Sequence, residues 1–245
     1  MKLRVLGSSS RGNCYLLQSE TTGEVLVIEA GIRMQTVKKA LDFRLSDIVG
    51  CCVTHEHGDH AKHAREFADT LIPMVMSKGT AEAVGITDFW CPTPKCPLRL
   101  GGFRILSFPV RHDAADPRGF LIQHKECGTV LFATDTYYLP NTFPGLNNIL
   151  IECNYRLDIL DRNIAEGRVS AAVRNRIVKS HMSYNTCCET LLANDLSRVN
   201  NIVLLHLSAD NSHADEFRAG IAALTEKQVS VAKAGMEIDF NATPY

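Results

Sequence analysis

Apolar residues come in short blocks along this chain, and turn residues separate the blocks. "LRVLG" and "CYLLQSE" read as strands joined by the loop "SSSRGN", and "TTG" turns the chain into a third, "EVLVIEAG". "DIVGCCVTH" is a β-rich apolar run that ends at His55. After Gly58 the period changes, and "DHAKHAREFADTL" predicts one helix. "TLIPMVMS" predicts a short strand and "KGTAEAVG" a short helix. Three strands follow, "GFRILSFPVRHD", "RGFLIQHK" and "GTVLFATDT", and "NNILIECNY" is another. Residues 155 to 195 are mainly helical by pattern. "NNIVLLHLS" returns to strand, "HADEFRAGIAALTEK" is a helix, and "VSVAKAGMEIDF" closes with a strand. Strands with helices both between and after them predict an α/β (α+β) chain, a mixed sheet system covered by helices. No repeat, low-complexity tract or long Pro/Gly-rich linker divides it, so residues 1–245 are read as one domain.

Composition narrows this picture only a little. Hydrophobic residues make up 45% and charged residues 22%, ordinary values for a soluble globular protein. The net charge of -1 supplies no global basic field, so any affinity for a polyanion must come from local patches. No apolar run nears the length of a membrane span, and the N-terminal apolar run breaks between Gly7 and Asn13. A cytoplasmic location is expected, with no membrane partner. Nine cysteines, some adjacent (Cys51-Cys52, Cys187-Cys188), suit reduced thiols better than a disulfide framework. The Cys91–Cys96 spacing suits a metal or a disulfide, but no second pair nearby completes a four-ligand set.

The chemistry is concentrated in "CVTHEHGDHAKH", which holds four of the nine histidines. His55, His57, Asp59 and His60 form H-x-H-x-D-H where a buried strand gives way to a helix. A loop leaving a strand can aim His55 and His57 at one metal, while Asp59 and His60 face a neighbouring one. Imidazole and carboxylate suit zinc and related divalent ions. Two metals need further ligands. His112, Asp135 and His206 each follow an apolar β-run where it turns polar, and are the candidates.

This order of motifs resembles the metallo-β-lactamase superfamily, over nearly the whole chain. The resemblance implies a four-layer αββα sandwich with two divalent ions, Zn²⁺ or Mn²⁺, at one sheet edge. It implies that His55, His57 and His112 hold the first ion, that Asp59, His60 and His206 hold the second, and that Asp135 bridges them. The family usually has an aspartate where this chain has Glu29, an acid that supports a ligand from behind. His57 argues against the diiron redox branch, and Asp135 against the true β-lactamases, which use a cysteine there.

Within the superfamily the chain resembles the YycJ/WalJ-like nucleases. "SSSRGNCYLL", "THEHGDH", "HDAADPRGF", "ATDT", "ECNY", "SHMS" and "LLHLSADN" carry that likeness. It departs at Tyr137, expected to narrow the site mouth, and at Ser180, where glycines are usual. The likeness implies a 5′-to-3′ exonuclease acting on DNA. It implies His181 as the general acid that protonates the leaving oxygen, steered by Glu152, with Asp59 orienting the attacking hydroxide. Between residues 162 and 179, Arg162, Arg168, Arg174, Arg176 and Lys179 face one acid, Glu166. A phosphate-tracking patch formed by Arg174, Arg176 and Lys179 is therefore expected. The rival readings are a metallo-hydrolase of cyclic nucleotides or another small phosphodiester, which needs no basic track, and a non-catalytic binding module. The second is disfavoured because such proteins lose ligands and this chain keeps all seven.

Overall fold

The structure is a computed structural model that describes residues 1–243. Its elements run β1 (Lys2–Gly7), β2 (Cys14–Gln18), β3 (Val25–Ile28), α1 (Met34–Ala40), β4 (Ile48–Cys52), α2 (Gly58–Ala61), α3 (Ala64–Ala68), β5 (Met74–Val75) and α4 (Lys78–Val84). They continue as β6 (Leu98–Leu100), β7 (Phe103–Pro109), β8 (Arg118–His124), β9 (Gly128–Ala133), β10 (Leu146–Glu152), α5 (Leu157–Ala165), α6 (Ala171–Ser180) and α7 (Tyr184–Leu192). The last four are β11 (Asn201–Leu205), α8 (Ala214–Thr225), β12 (Gln228–Val231) and β13 (Met236–Asp239).

The strands form a six-stranded sheet, β13-β1-β2-β3-β4-β5, and a seven-stranded sheet, β12-β11-β10-β9-β8-β7-β6. Alternation along each central strand feeds two cores at once. In β3, Leu26 and Ile28 face the other sheet while Val25 and Val27 face the helices. In β11, Val203 and Leu205 point to the inter-sheet core, and Ile202 and Leu204 to the outer one with Phe217 of α8. Both faces of each sheet are therefore apolar, which is why the strands read as continuous hydrophobic runs. The result is the expected αββα sandwich. No helix among the described residues is long and apolar enough to cross a membrane.

Strand direction places the site. β3 and β4 run parallel in one sheet, and β9, β10 and β11 run parallel in the other. Parallel neighbours end at a common edge, so the polar residues that follow them converge there. Residues after β3, β4, β9 and β11, together with the last residue of β10, meet at that edge.

Two expectations are corrected. The helix predicted over "DHAKHAREFADTL" is two short helices, α2 and α3. Neighbouring loops take its hydrogen bonds: the Asp59 carbonyl accepts from Asn13 N–H, the His60 carbonyl accepts from Ala30 N–H, and His63 N–H donates to Ala30. The closing strand is two strands in different sheets. β12 pairs with β11 and β13 pairs with β1, and the turn between them carries Gly235 at φ 86°.

Candidate metal centre

β4 ends at Cys52, and the chain then leaves the sheet through Thr54 to His57. His55 is buried at 1% exposure and His60 at 0%. The turn before them is pressed against a neighbouring loop: a Cβ on Gly31 would lie 1.8 Å from the Asp59 carbonyl oxygen. Only glycine fits there, which accounts for the "EAG" that follows β3. Three non-glycine residues at this edge sit in the left-handed region, Glu29 (φ 69°), Asp135 (φ 46°) and His206 (φ 53°). Each follows a strand and turns its side chain back over the edge. Such conformations cost on the order of 1–3 kcal/mol each and cluster at functional sites.

Three sets of donors share Asp135. His55, His57, His112 and Asp135 bring one ligand atom each within 4.8 Å of one another, and so do Asp59, His60, Asp135 and His206; a third set, Asp135, Glu152, His181 and His206, overlaps the second. Asp135 Oδ2 lies 3.7 Å from His55 Nε2, 3.6 Å from His112 Nε2 and 3.3 Å from His60 Nε2. His57 Nδ1 is 3.1 Å from His112 Nε2, and His206 Nε2 is 3.0 Å from Asp59 Oδ2.

The surrounding hydrogen bonds fix which ring nitrogens face the centre. Thr54 Oγ1–H donates to Glu29 Oε1 at 2.6 Å, so the Thr54 oxygen must accept from His55 Nδ1, 2.9 Å away. His112 Nδ1 lies 2.8 Å from the Ser180 carbonyl, which can only accept. Both rings therefore carry their proton on Nδ1 and turn an Nε2 lone pair inward. Buried His55 Nε2 has no hydrogen-bond partner at all. Burial, reinforced by the neighbouring His60 ring, holds His55 well below the usual histidine range, in the neutral form a metal requires. Glu29 reaches both ways: it accepts from Thr54 and its Oε1 lies 3.3 Å from His60 Nδ1. The longer side chain thus reaches the place expected of the usual aspartate, behind the two rings.

Charge tells the same story. Glu29 and Glu152 are fully buried and Asp135 nearly so, with Asp59 beside them. Among the described residues, no lysine or arginine pairs with any of these four. Burial opposes ionisation of Asp59, but His206 and His60 outweigh it and hold the carboxyl well below its usual range. So dense a set of carboxylates, with lone pairs aimed inward and an orphaned ring nitrogen, fits divalent cations.

Beside this cluster sits a dyad. His181 Nδ1 is 2.6 Å from Glu152 Oε1, and Glu152 Oε2 accepts from the backbone N–H groups of Thr136 and Met182. Burial disfavours the imidazolium, but the Glu152 carboxylate overrides it and raises His181 to about 9. The His181 ring stacks on His206 at 5.5 Å and stands edge-on to His112 at 5.4 Å. These residues floor a cavity of about 280 Å³, whose walls are Ser10 and the α6 residues Val173, Arg176 and Ile177.

The expected substrate residues are only partly brought here. Arg176 lines the cavity. Arg174 is turned to Asp161 at 2.8 Å, and Lys179 does not line the cavity. The basic stretch also faces more acid than its own sequence shows, since Asp161 and Asp113 come from outside it. Tyr137 is exposed but does not line the cavity. Several supporting residues have no signal in residue type. Asn13 Nδ2 lies 3.1 Å from His60 Nε2, Ser8 Oγ accepts from His206 N–H, and Asn154 Nδ2 donates to the His206 carbonyl. Their place in the quoted loops "SSSRGN" and "ECNY" is the only hint. Cys91 and Cys96 are exposed free thiols away from every donor cluster.

The profile of the metallo-beta-lactamase superfamily matches residues 9–160, more than half of the chain. The chain belongs to that superfamily. Exodeoxyribonuclease YycJ of Bacillus anthracis is 27% identical over 241 residues, covering 91% of this chain and 89% of that one. Exodeoxyribonuclease WalJ of Streptococcus pneumoniae is 25% identical over 259 residues, covering 98% and 92%. The metallo-beta-lactamase fold protein YhfI from Bacillus subtilis superposes with a TM-score of 0.70 at 17% identity, over 97% of this chain and 98% of that one. That likeness shows the fold alone. Family membership and the His/Asp clusters together make this chain a metal-dependent hydrolase.

Proposed function

We propose that the site hydrolyses phosphodiesters with two divalent ions, Zn²⁺ or Mn²⁺, and that DNA ends are its substrate, cut in the 5′-to-3′ direction. The observation that carries the reading is the His181–Glu152 pair, 2.6 Å apart, beside two donor sets that share Asp135. His55, His57 and His112 would hold one ion, Asp59, His60 and His206 the other, and Asp135 both. Ions bound there make water a nucleophile at neutral pH and draw charge from the phosphoryl oxygens.

The chain's own residues do the rest. Asp59 orients the attacking water while its carboxylate is held by His206 and His60. His181 keeps its Nδ1 proton on Glu152 and presents a second proton on Nε2 to the leaving oxygen. A sugar alkoxide is a poor leaving group and needs that proton. Glu152, locked by two backbone N–H groups, keeps the imidazole in place. Hydrolysis of a thioester would not need the dyad. The DNA assignment follows the names of the two exodeoxyribonuclease relatives.

A second reading has its own support. The cavity is small, and the arginines beside it are paired with acids. A cyclic nucleotide or other small diester would suit such a site. Incubating the protein with Mn²⁺ or Zn²⁺ and end-labelled DNA, RNA and cyclic nucleotides separates the two. Release of mononucleotides from DNA 5′ ends supports the first; cleavage of cyclic nucleotides alone replaces it with the second.

A further inference from the structure

α6 is a helix with little to bury. Of its residues only Ser180, at its last turn, is buried. Val173 and Ile177 belong to none of the three hydrophobic cores. Val173 is 49% exposed, among the more exposed large apolar residues of the protein. Yet both line the cavity over the metal centre, one helical turn apart, as its only apolar lining residues. An apolar ledge in a site otherwise built of histidines and carboxylates calls for a substrate group to cover it.

The helix also states which substrate group that is. His181 directly follows Ser180, and residues spaced by three or four along a helix share a face. The Val173–Ile177 ledge therefore leads to the dyad that protonates the leaving oxygen. Whatever is attached to that oxygen lies toward α6. Arg176 sits between the two apolar residues in sequence. Its Nε is fixed by Asp113 Oδ2 at 3.2 Å, and among the described residues its two terminal nitrogens have no hydrogen-bond partner. We infer that this face of α6 is the leaving-group subsite: Val173 and Ile177 pack the base of the departing nucleoside, and Arg176, positioned by Asp113, meets a phosphate attached to it. The inference rests on the phosphodiester reading above.

Two measurements test it. In the first, the Zn²⁺-loaded chain is titrated with thymidine 5′-monophosphate and with deoxyribose 5-phosphate while methyl NMR signals are followed. The expected result is ring-current shifts at the Val173 and Ile177 methyls with the thymidine compound only. Shifts confined to the histidine rings, or no shifts at all, overturn the subsite. In the second, short single-stranded deoxyoligomers carry an abasic residue on one or the other side of the first bond cut. Removing the base on the leaving side should lower kcat/KM roughly tenfold, the low end for taking one apolar group out of a binding pocket. A Val173→Ser/Ile177→Ser double variant should abolish that difference, and Val173→Ile/Ile177→Leu should keep it. A base preference that survives the serine variant, or that is absent from the unaltered protein, sinks the subsite while leaving the hydrolase reading intact. If neither oligomer nor bis-p-nitrophenyl phosphate is cut, the phosphodiester reading itself fails and takes the subsite with it.

Discussion

The floor and the rim of the cavity hold their charges differently. On the floor, carboxylates and imidazoles are buried, and among the described residues no lysine or arginine pairs with them. Their backbone is strained at Glu29, Asp135 and His206, and their tautomers are fixed from behind. On the rim, the two arginines of α6 are already paired, Arg174 with Asp161 and Arg176 with Asp113. The floor is built to receive cations, and the whole fold over-determines it. The rim is adjustable, because solvent screens its ion pairs and little packing fixes its helix. Catalytic chemistry and substrate choice therefore rest on parts of very different stiffness, and substitutions in them should differ in size accordingly.

The largest effect is expected at the centre of the floor. Asp135 faces both donor sets, so Asp135→Ala should strip both ions together and abolish turnover. Metal content and activity, measured on the same sample, check this. Loss of one ion with retention of the other would show that Asp135 serves a single site. His112→Ala, by contrast, should deplete mainly the set it shares with His55 and His57.

His181→Ala comes next. Both ions should stay, and turnover on DNA should fall by on the order of 10²–10⁴, the usual worth of a positioned acid. The loss should be mild on bis-p-nitrophenyl phosphate, whose leaving group departs without a proton. The pH profile carries an independent check. Glu152 raises His181 to about 9, so the acid is protonated below that pH and its contribution is lost as pH rises through it. The unaltered protein should lose DNA turnover on that alkaline limb, and the alanine variant should lack the limb. Equal losses on both substrates, or metal depletion, would make His181 a ligand instead.

These two regions were also unequally legible. The pattern of strands and helices gave a mixed sheet system covered by helices, and the αββα layering came from the family resemblance. His55, His112, Asp135 and His206 followed from residue type where apolar strands turn polar, and His57, Asp59 and His60 from their spacing after His55 at a strand-to-helix junction. Spacing could not show what lies across space. Asp113 and Asp161 reach α6 from outside the basic stretch, and only the fold brings them to Arg176 and Arg174. Asn13, Ser8 and Asn154 act on the donors through hydrogen bonds that no periodicity encodes. The break between α2 and α3 had the same origin, in carbonyls claimed by neighbouring loops. Local pattern could not see that competition.

A moderate effect is expected behind the floor. Glu29 links Thr54, and through it His55, to His60. It therefore orients one ligand in each donor set. Glu29→Gln should weaken metal affinity by roughly 10–100-fold, the usual cost of losing such a partner. Zinc titration against a chelator reads it directly. Unchanged affinity would mean that backbone geometry alone orients the two rings.

The smallest effects belong to the rim, and there two neighbouring arginines should part company. Arg174 and Arg176 lie in one basic stretch, and their sequence context treats them alike. The structure does not: Arg176 lines the cavity, while Arg174 is turned to α5 and Asp161. Arg176→Ala should weaken binding of single-stranded DNA and reduce its salt slope by about 0.7, the value for one phosphate contact on a single strand. Arg174→Ala removes an ion pair that solvent screens, and should leave the salt slope where it was. Anisotropy titrations at several salt concentrations separate the two. If both substitutions flatten the slope equally, the DNA tracks the whole exposed face of the helix and the basic stretch acts as one patch. If neither does, no phosphate is read at this rim, and a small diester becomes the better substrate.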